Sequence, residues 1–555
     1  MASVAVDPSV TRKVEVDSGA TGAPAELVTV MGRGDRLAFA LLMAVALMSV
    51  GWYALWWFQP AHIPRNWTTL GALAPWLNRF YFLLLTFVVW RGLAGHVFQW
   101  WLTPSMVRPI ASSPMAGLRV ALMTCIVPGK EPIELLERCL LAMLSVRYAH
   151  DTWVLDEGDD TAVKALCHRL GVKHFTRFGK PELNQPRGAF LARTKAGNHN
   201  AWHAAYGLDY DVVGQMDMDY ICQPDLFEKT LGYFRNPRVA FVGGPQVYGN
   251  VDQSFVARGA AQQAYGFFGA CQMGAAGKGF HLFIGTVHVV RTAALRSIGG
   301  YASHIVEDHI TGMRLYAKGW QSVYVPEVLA VGEGPATWSA YFAQQMRWSY
   351  GCIDIFLRHL PRHWRSLSWR ARIGYANFEI FWLFGFGQFL GLLLLTLYFL
   401  LGWTAAAMNL SAWLVHAFPA FLVVWAIYYW HQRYYLRPEE RGWNLAGHLL
   451  MQAVWPVVAL AFFQAALNRK LQYVVTPKGS AAQRTESFPF TLQLAMATPS
   501  GIGLLAIPLT HRLVPLLVFW ALLNLVAVGG LSAAWLWSRR GNSRKRYGRK
   551  SRGIV

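Results

Sequence analysis

The sequence predicts an α/β domain with a doubly wound, mostly parallel sheet, inserted in an α-helical transmembrane domain of about six spans plus interfacial helices. Apolar runs long enough to cross a bilayer stand on both sides of residues 106–335, where short apolar runs alternate with helical patterns. The composition agrees, because 54% hydrophobic residues and a net charge of +21 fit a membrane protein with basic cytosolic edges better than a nucleic-acid-binding protein.

The membrane segments divide the chain. After a cytosolic arm predicted to be flexible (1–35), two spans are expected in 36–105, two in 376–430 and two in 491–538, before a basic cytosolic tail at 539–555. Arg91 interrupts the second span and is expected to snorkel or face a polar interior. Residues 444–467 are also apolar, but a span there would place the basic tail outside, against the positive-inside rule. We therefore predict that this segment lies in the interface or packs within the protein.

The protein is expected in the plasma (inner) membrane, with both termini and the α/β domain in the cytosol. All six cysteines fall in or beside that domain without metal-binding spacing, and we interpret them as reduced thiols. Predicted strands are 119–127, 152–155, 173–178, 212–216 and 239–247. Predicted helices include 133–145, 161–170 and 225–234.

Two carboxylates stand at the end of the predicted strand 212–216. On an extended chain, residues i and i+2 point the same way, so Asp217 and Asp219 can face one divalent ion. Mg²⁺ and Mn²⁺ prefer oxygen ligands and bind diphosphates. The pair therefore predicts the metal site of a nucleotide-sugar transferase, and the plain alternative is a solvated acidic turn.

Two further signals favour a nucleotide site. Asp156 ends the strand 152–155, where parallel sheets bind ligands, and could accept from a uracil or ribose. Lys195 offers a cation for a diphosphate, and Gly197 allows a close approach of the backbone. Taken alone, the Asp156 signal is also typical of an ordinary turn, and the Lys195 signal is also typical of the start of a helix.

The last two signals concern catalysis and the acceptor. Glu307 and Asp308 open a predicted helix that runs to 319, where acids commonly cap a helix but can also supply a catalytic base. Gln344, Arg347 and Trp348 form a Q-x-x-R-W pattern. The guanidinium fits phosphate oxygens and the indole fits a sugar face, although a boundary helix with an anchoring Trp looks the same.

In this order, and flanked by membrane spans, the motifs D, D-x-D, E-D and Q-x-x-R-W resemble the processive family-2 glycosyltransferases, which include cellulose, chitin and hyaluronan synthases. The likeness covers roughly residues 75–540. The stretch YVVTPKG at 473–479 resembles the gating loop of cellulose synthases, with Tyr for Phe. The resemblance is thus to bacterial cellulose synthases and cellulose-synthase-like proteins without a PilZ domain. It implies a nucleotide-sugar-binding domain of the glycosyltransferase A type.

The resemblance also implies further segments and residue roles. Interfacial amphipathic helices would occupy 336–375, and a cytosolic loop, an interfacial helix and the gating loop would occupy 431–490. Asp308 would be the catalytic base, and Asp219 with Asp217 would hold Mg²⁺ or Mn²⁺. The residues implied to bind the UDP-sugar are Glu131, Asp156, Lys195, Asp217, Gln344, Arg347, Tyr473, Thr476 and Lys478. The residues implied for the acceptor or polymer are Phe283, Gly285, Thr286, Glu307 and Trp348.

The implied activity is that of an inverting, UDP-sugar-dependent hexosyltransferase that polymerises a cellulose-like β-glucan from UDP-glucose. The growing polysaccharide would leave through a channel in the enzyme itself. Expected partners are the UDP-sugar, the polymer, the lipid bilayer and a periplasmic or extracellular export partner, and no nucleic acid. Direct activation by cyclic-di-GMP is not expected.

Several departures from the family pattern keep alternatives open. Glu157 replaces the usual second Asp, Val306 replaces Thr, and LFIGT at 282–286 replaces F-F-C-G-S. The product could be another β-linked polymer, either chitin-like, hyaluronan-like or a β-1,3 or mixed-linkage glucan. A non-processive lipid-phosphate glycosyltransferase and an inactive channel or scaffold subunit are the remaining alternatives.

Overall fold

The computed structural model describes residues 26–471, 488–511 and 513–550, with side chains described up to residue 536. The strands are β1 Leu27–Thr29, β2 Val107–Pro109, β3 Val120–Ile126, β4 Asp151–Asp156, β5 Lys173–Thr176, β6 Val212–Gln215, β7 Ile221–Cys222, β8 Val239–Gly243, β9 Val247–Tyr248, β10 His288–Arg291, β11 Gln321–Tyr324 and β12 Ala330–Gly332. The helices of the first half are α1 Arg33–Trp57, α2 Ala74–Leu102, α3 Ile133–Leu144, α4 Thr161–Leu170, α5 Lys195–Tyr206, α6 Phe255–Gly266, α7 Gln272–Gly277 and α8 Thr292–Ser297. They are followed by α9 Glu307–Ala317, α10 Trp338–Asp354, α11 Leu360–His363, α12 Trp369–Ile380, α13 Phe384–Leu401, α14 Leu410–His431, α15 Leu445–Ala466, α16 Thr491–Leu505, α17 Ile507–Thr510 and α18 Pro515–Lys550.

A seven-stranded sheet in the order β11-β8-β10-β6-β3-β4-β5 forms the centre of the α/β domain. Its neighbours pair in parallel except around β10, which runs antiparallel to both β6 and β8. Side chains of β3 alternate between two cores: Leu122 packs with α3 and α4, and Met123 packs with α5. The predicted doubly wound, mostly parallel sheet is confirmed.

Three local predictions differ from the structure. The predicted strand 239–247 is two strands, β8 and β9, which belong to different sheets and are separated by Gly244 and Pro245. The predicted helix 225–234 is wrong, because this segment forms turns and a 3₁₀ turn at Leu231–Arg235. Gly232 packs so closely that an added Cβ would lie 2.1 Å from the Ser112 carbonyl oxygen, which fixes an irregular path. Strands β10 and β11 were not predicted.

Six helical segments are long and apolar enough to cross a membrane among the described residues. They are Arg33–Trp57, Thr68–Ser105, Trp369–Leu401, Leu410–Tyr434, Leu445–Ala466 and Pro515–Leu536. The number of candidate spans equals the predicted six, but one of the segments differs from those predicted. Helix α16 has only 15 residues before it breaks into α17, whereas α15 meets the criterion with 22 residues.

Helix α15 nevertheless contacts α6 and α10, two helices that are not among the six candidate segments. Near its start, Leu450 lies against Gly259 of α6. Near its end, Ala461 and Ala465 pack with Tyr350 of α10. It is also the most buried of the six segments, at 44% of its apolar window against 17–33% for the others. That α15 packs within the protein instead of crossing the bilayer stays a prediction.

Candidate active site

Lys195 and Asp217 form the centre of a polar network at the end of β6. Lys195 begins α5 and donates from Nζ to Asp217 Oδ1 at 2.6 Å and to the Gly285 carbonyl oxygen at 2.6 Å. Burial lowers the pKa of Lys195, but the nearby carboxylates of Asp217 and Glu307 outweigh it, so the pKa stands above its usual value. Lys195 is therefore a fixed cation beside the D-x-D pair.

The loop before α5 is held by a buried arginine that the sequence analysis missed. Arg177 is fully buried and donates to both oxygens of Glu157, at 2.9 and 2.5 Å, and to the carbonyl oxygens of Leu191 and Thr194 at 3.1 Å. The close approach expected at Gly197 occurs within the chain, because an added Cβ would lie 2.1 Å from the Leu191 carbonyl oxygen. This packing places Lys195 at the start of its helix.

Asp308 accepts hydrogen bonds from two backbone groups. The N–H of Gly285 donates to Oδ2 at 2.8 Å, and the N–H of His309 donates to Oδ1 at 2.9 Å. Burial and the Asp308 charge raise the pKa of the adjacent Glu307 to about 7, against the opposing effect of Lys195. Glu307 therefore exchanges a proton near neutral pH. The two acids have different environments, as an acid–base site requires.

Gly285 allows this arrangement because a side chain would crowd it. A Cβ at this position would lie 3.2 Å from Asp308 Oδ2 and 3.5 Å from Glu307 Oε1. Gly285→Ala is expected to lower the turnover number about tenfold or more by displacing the Asp308 carboxylate, since misplacement by about 1 Å can cost about 100-fold. Steady-state kinetics check this. Gly34→Ala, where nothing lies within 4 Å of the added Cβ, should keep wild-type turnover.

A continuous cavity of about 1920 Å³ brings most of the predicted site residues together. Predicted residues on its wall are Glu131, Lys195, Asp217, Asp219, Gly285, Glu307, Asp308, Gln344, Arg347 and Trp348. The cavity also extends among helices of the candidate membrane segments, where polar side chains lie on its wall between apolar ones, namely Arg91, His96, Gln99, Asn377, Gln388 and Gln452. Arg91 lies on this wall, and the expectation that it snorkels or faces a polar interior stays a prediction. One cavity thus joins the acids to helices that are long and apolar enough to cross a membrane.

The structure places three predicted site residues away from the cavity wall. Asp156 is fully buried and accepts from the backbone N–H groups of Gly158 and Asp160 at 2.8 and 2.7 Å. Phe283 is fully buried, with its ring centroid 4.3 Å from that of His288. Thr286 is buried, and its Oγ1 accepts from the Asp217 N–H at 2.9 Å, so it positions Asp217 from behind.

The remaining predicted residues fall into two groups. Glu131 faces the cavity and accepts from the Val127 N–H through Oε2 at 2.9 Å. Tyr473, Thr476 and Lys478 lie outside the described residues. Sequence reasoning also missed Tyr248, which lies on the cavity wall and hydrogen-bonds Gln344. It directly follows the predicted strand 239–247, and the sequence analysis gave it no role.

Comparison with known families identifies the domain. Residues 212–430, which include Asp217, Asp308 and the Q-x-x-R-W motif, match the model described as Glycosyl transferase family group 2. The chain carries a family 2 glycosyltransferase domain.

Several known proteins are similar to this chain. It is 25% identical over 398 residues to the UDP-forming cellulose synthase catalytic subunit of Xanthomonas axonopodis pv. citri, an alignment that covers 69% of this chain and 50% of that protein. It is 32% identical over 211 residues to the probable glucomannan 4-beta-mannosyltransferase 14 of Arabidopsis thaliana, covering 37% of this chain and 39% of that protein. Cellulose synthase 2 of Novacetimonas hansenii is 26% identical over 298 residues, which cover 52% of this chain and 18% of that protein.

In each case the glycosyltransferase matches half or less of the relative's length. Among solved structures, the mannosyltransferase PcManGT from Pyrobaculum calidifontis, crystallised with GDP-Man and Mn²⁺, has a TM-score of 0.48 at 15% identity. The match covers 70% of this chain and 99% of that chain.

Proposed function

We propose that this glycosyltransferase is a processive, inverting β-glycan synthase that uses a UDP-sugar, with UDP-glucose as the favoured donor and a cellulose-like β-glucan as the product. The observation that carries the proposal is the single cavity, which holds the D-x-D pair, Asp308 and Trp348 and continues among membrane helices. Its relatives include cellulose synthases and a glucomannan mannosyltransferase, which supports a β-glycan product.

In the proposed reaction, Asp308 accepts the proton of an acceptor hydroxyl as that oxygen attacks the anomeric carbon. Two backbone N–H groups fix both oxygens of Asp308, at 2.8 and 2.9 Å, so its direction is set before the sugar arrives. A correctly placed general base contributes about 10²–10⁴-fold. Attack on the face opposite the departing UDP inverts the anomeric configuration.

The leaving diphosphate would meet positive charge on the cavity wall, close to the base. Lys195 is held by Asp217 and the Gly285 carbonyl oxygen, and Arg347 also lies on the wall. Preorganised charge of this kind is commonly the largest contribution to rate. Lys195 thus stabilises the diphosphate without having to move.

The D-x-D residues fit a divalent ion. Both side chains line the cavity and offer carboxylate oxygens, the donors that Mg²⁺ and Mn²⁺ prefer. Lys195 already pairs with Asp217 Oδ1, so we assign the ion chiefly to Asp219, which is 6% exposed. Such an ion would neutralise charge on the diphosphate.

The acceptor would enter from the membrane side of the cavity. Trp348 provides a flat face for the terminal sugar, and polar side chains such as Gln99 and Gln388 line the path beyond it. After each transfer the chain would advance by one sugar toward the membrane helices.

A product-length assay tests this proposal. Purified protein in lipid vesicles is given radiolabelled UDP-glucose, and the product is sized and subjected to linkage analysis. A long β-linked polymer is expected, together with complete loss of product in EDTA and recovery with Mg²⁺ or Mn²⁺. Short glycolipid as the sole product would refute processive synthesis, and long polymer from another UDP-sugar alone would refute UDP-glucose as the donor.

A further inference from the structure

His309, the residue after the proposed base, forms an ion pair inside the protein. Its Nδ1 lies 2.9 Å from Oε1 of Glu379, a residue of α12 with no exposed side-chain surface. Cys352 of α10 adds a thiol 3.9 Å from the same Nδ1. Burial lowers the pKa of His309, but Glu379 outweighs it and the pKa rises to about 9. His309 is therefore an imidazolium at neutral pH.

The same residue contacts the base through its backbone. The N–H of His309 donates to Asp308 Oδ1 at 2.9 Å, while its ring points to α12. Neighbours of Glu379 on α12, namely Asn377, Phe378 and Ile380, line the cavity. One residue therefore joins the carboxylate of the base to the helix that leads into the membrane segment Trp369–Leu401.

The buried ion pair of Glu379 and His309 is not explained by a contribution to the stability of the fold. Taking two charges out of water costs several kcal/mol per ion, and apolar residues of similar size are often as stable or more so. A buried charge next to a reacting carboxylate has an electrostatic effect that an apolar pair lacks. Because the pair lies directly behind Asp308, its electrostatic effect acts on the Asp308 carboxylate.

We propose that Glu379 and His309 are a positioning pair for Asp308, which fixes the start of α9 against the cavity wall and places a positive charge beside the base. This inference rests on the proposed function, because it takes Asp308 as the base. The charge favours the ionised carboxylate that can accept a proton. The packing sets the direction of that carboxylate relative to the acceptor path.

Glu379→Gln tests the pair, since glutamine keeps the shape and one hydrogen bond but removes the charge. We expect the turnover number to fall about 10- to 100-fold, because small displacements of a reacting group have effects of this size. The KM for the UDP-sugar should not change, since Lys195 and the D-x-D pair do not contact Glu379. Glu379→Asp, which keeps the charge, should recover part of the lost turnover.

The pH profile separates a positioning role from a merely structural one. Wild-type turnover should fall as pH rises through about 9, where His309 loses its proton. In Glu379→Gln the largest influence that raises the pKa of His309 is removed, and only Asp308 and Glu307 still oppose burial, so the fall should move to lower pH. The other titratable groups facing His309 are Glu307, Asp308, Cys352 and, beside Asp308, Tyr375. Burial and the Asp308 charge raise the pKa of Glu307 to about 7, and burial raises the pKa of Cys352 well above its usual value.

Asp354→Asn is the matched control. Asp354 of α10 pairs with His304, Oδ2 to Nε2 at 3.2 Å, in a similarly buried site that does not touch Asp308. We expect this variant to lower the melting temperature without moving the pH profile. Wild-type turnover and an unshifted profile in folded Glu379→Gln, or the same profile shift in both variants, would overturn the inference. Full turnover in Asp308→Asn would instead refute the proposed base itself.

Discussion

Replacing Asp308 with asparagine is expected to abolish sugar transfer while the fold and nucleotide binding persist. Asparagine has the same shape and can still accept from the Gly285 N–H, which donates to Asp308 Oδ2 at 2.8 Å in the wild type. It cannot take a proton from the acceptor. The expected loss of turnover is about 10²–10⁴-fold, the usual contribution of a general base.

UDP release measures this loss, and nucleotide-dependent thermal stabilisation reports binding separately. A protein that melts normally and is still stabilised by UDP, but releases no UDP from UDP-glucose, fits the assignment. Glu307→Gln is the informative comparison, because Glu307 lies next to the base but burial raises its pKa to about 7, so that it is only partly ionised at neutral pH. It should lose less activity than Asp308→Asn. Equal turnover of wild type and Asp308→Asn would show that another group accepts the proton.

The parts of the fold that could be predicted are those with local signals. Strands β3, β4 and β6 are short apolar runs followed by turns, and the structure places their ends within two residues of the prediction. Strand β10 was missed because its alternation is weak and its position comes from antiparallel pairing with β6 and β8, more than 40 residues away. The helix expected at 225–234 fails for the same reason, since a distant contact at Ser112 decides the path of the chain.

The residues of the candidate site likewise divide into those with a local sequence signal and those placed by distant contacts. Asp217, Asp219 and Asp308 could be predicted because each stands in a short motif, and they share one cavity. Asp156 belongs to a motif of the same kind, yet its carboxylate is turned into its own loop. The partner of His309 had no local signal, because Glu379 lies 70 residues further along the chain, in α12. Motifs thus predict which residue types meet, but the direction of each side chain depends on packing.

Lys195→Met is expected to remove both activity and stability. The variant leaves Asp217 without the cation that lies 2.6 Å away, and removing one partner of a buried pair costs about 3–5 kcal/mol. Because the Asp217 side chain is 32% exposed, we expect a smaller decrease in the free energy of unfolding, about 2 kcal/mol. Turnover should fall about 100-fold, since one preorganised donor to developing charge is worth about 10²–10³-fold.

The double variant Lys195→Met/Asp217→Asn separates these two effects. With no charge left unpaired, the free energy of unfolding should return most of the way to the wild-type value, because removing both partners of a polar pair costs little. Turnover should stay as low as in Lys195→Met, since the cation for the diphosphate is still missing.

Lys173→Met is the matched control: its partner Asp151 lies 2.8 Å away on the same sheet, but both side chains are more than 40% exposed. That variant should lose less than about 1 kcal/mol and keep its turnover. If the double variant regained activity together with stability, Lys195 would serve only to neutralise Asp217, and the diphosphate would have to be held by other groups such as Arg347.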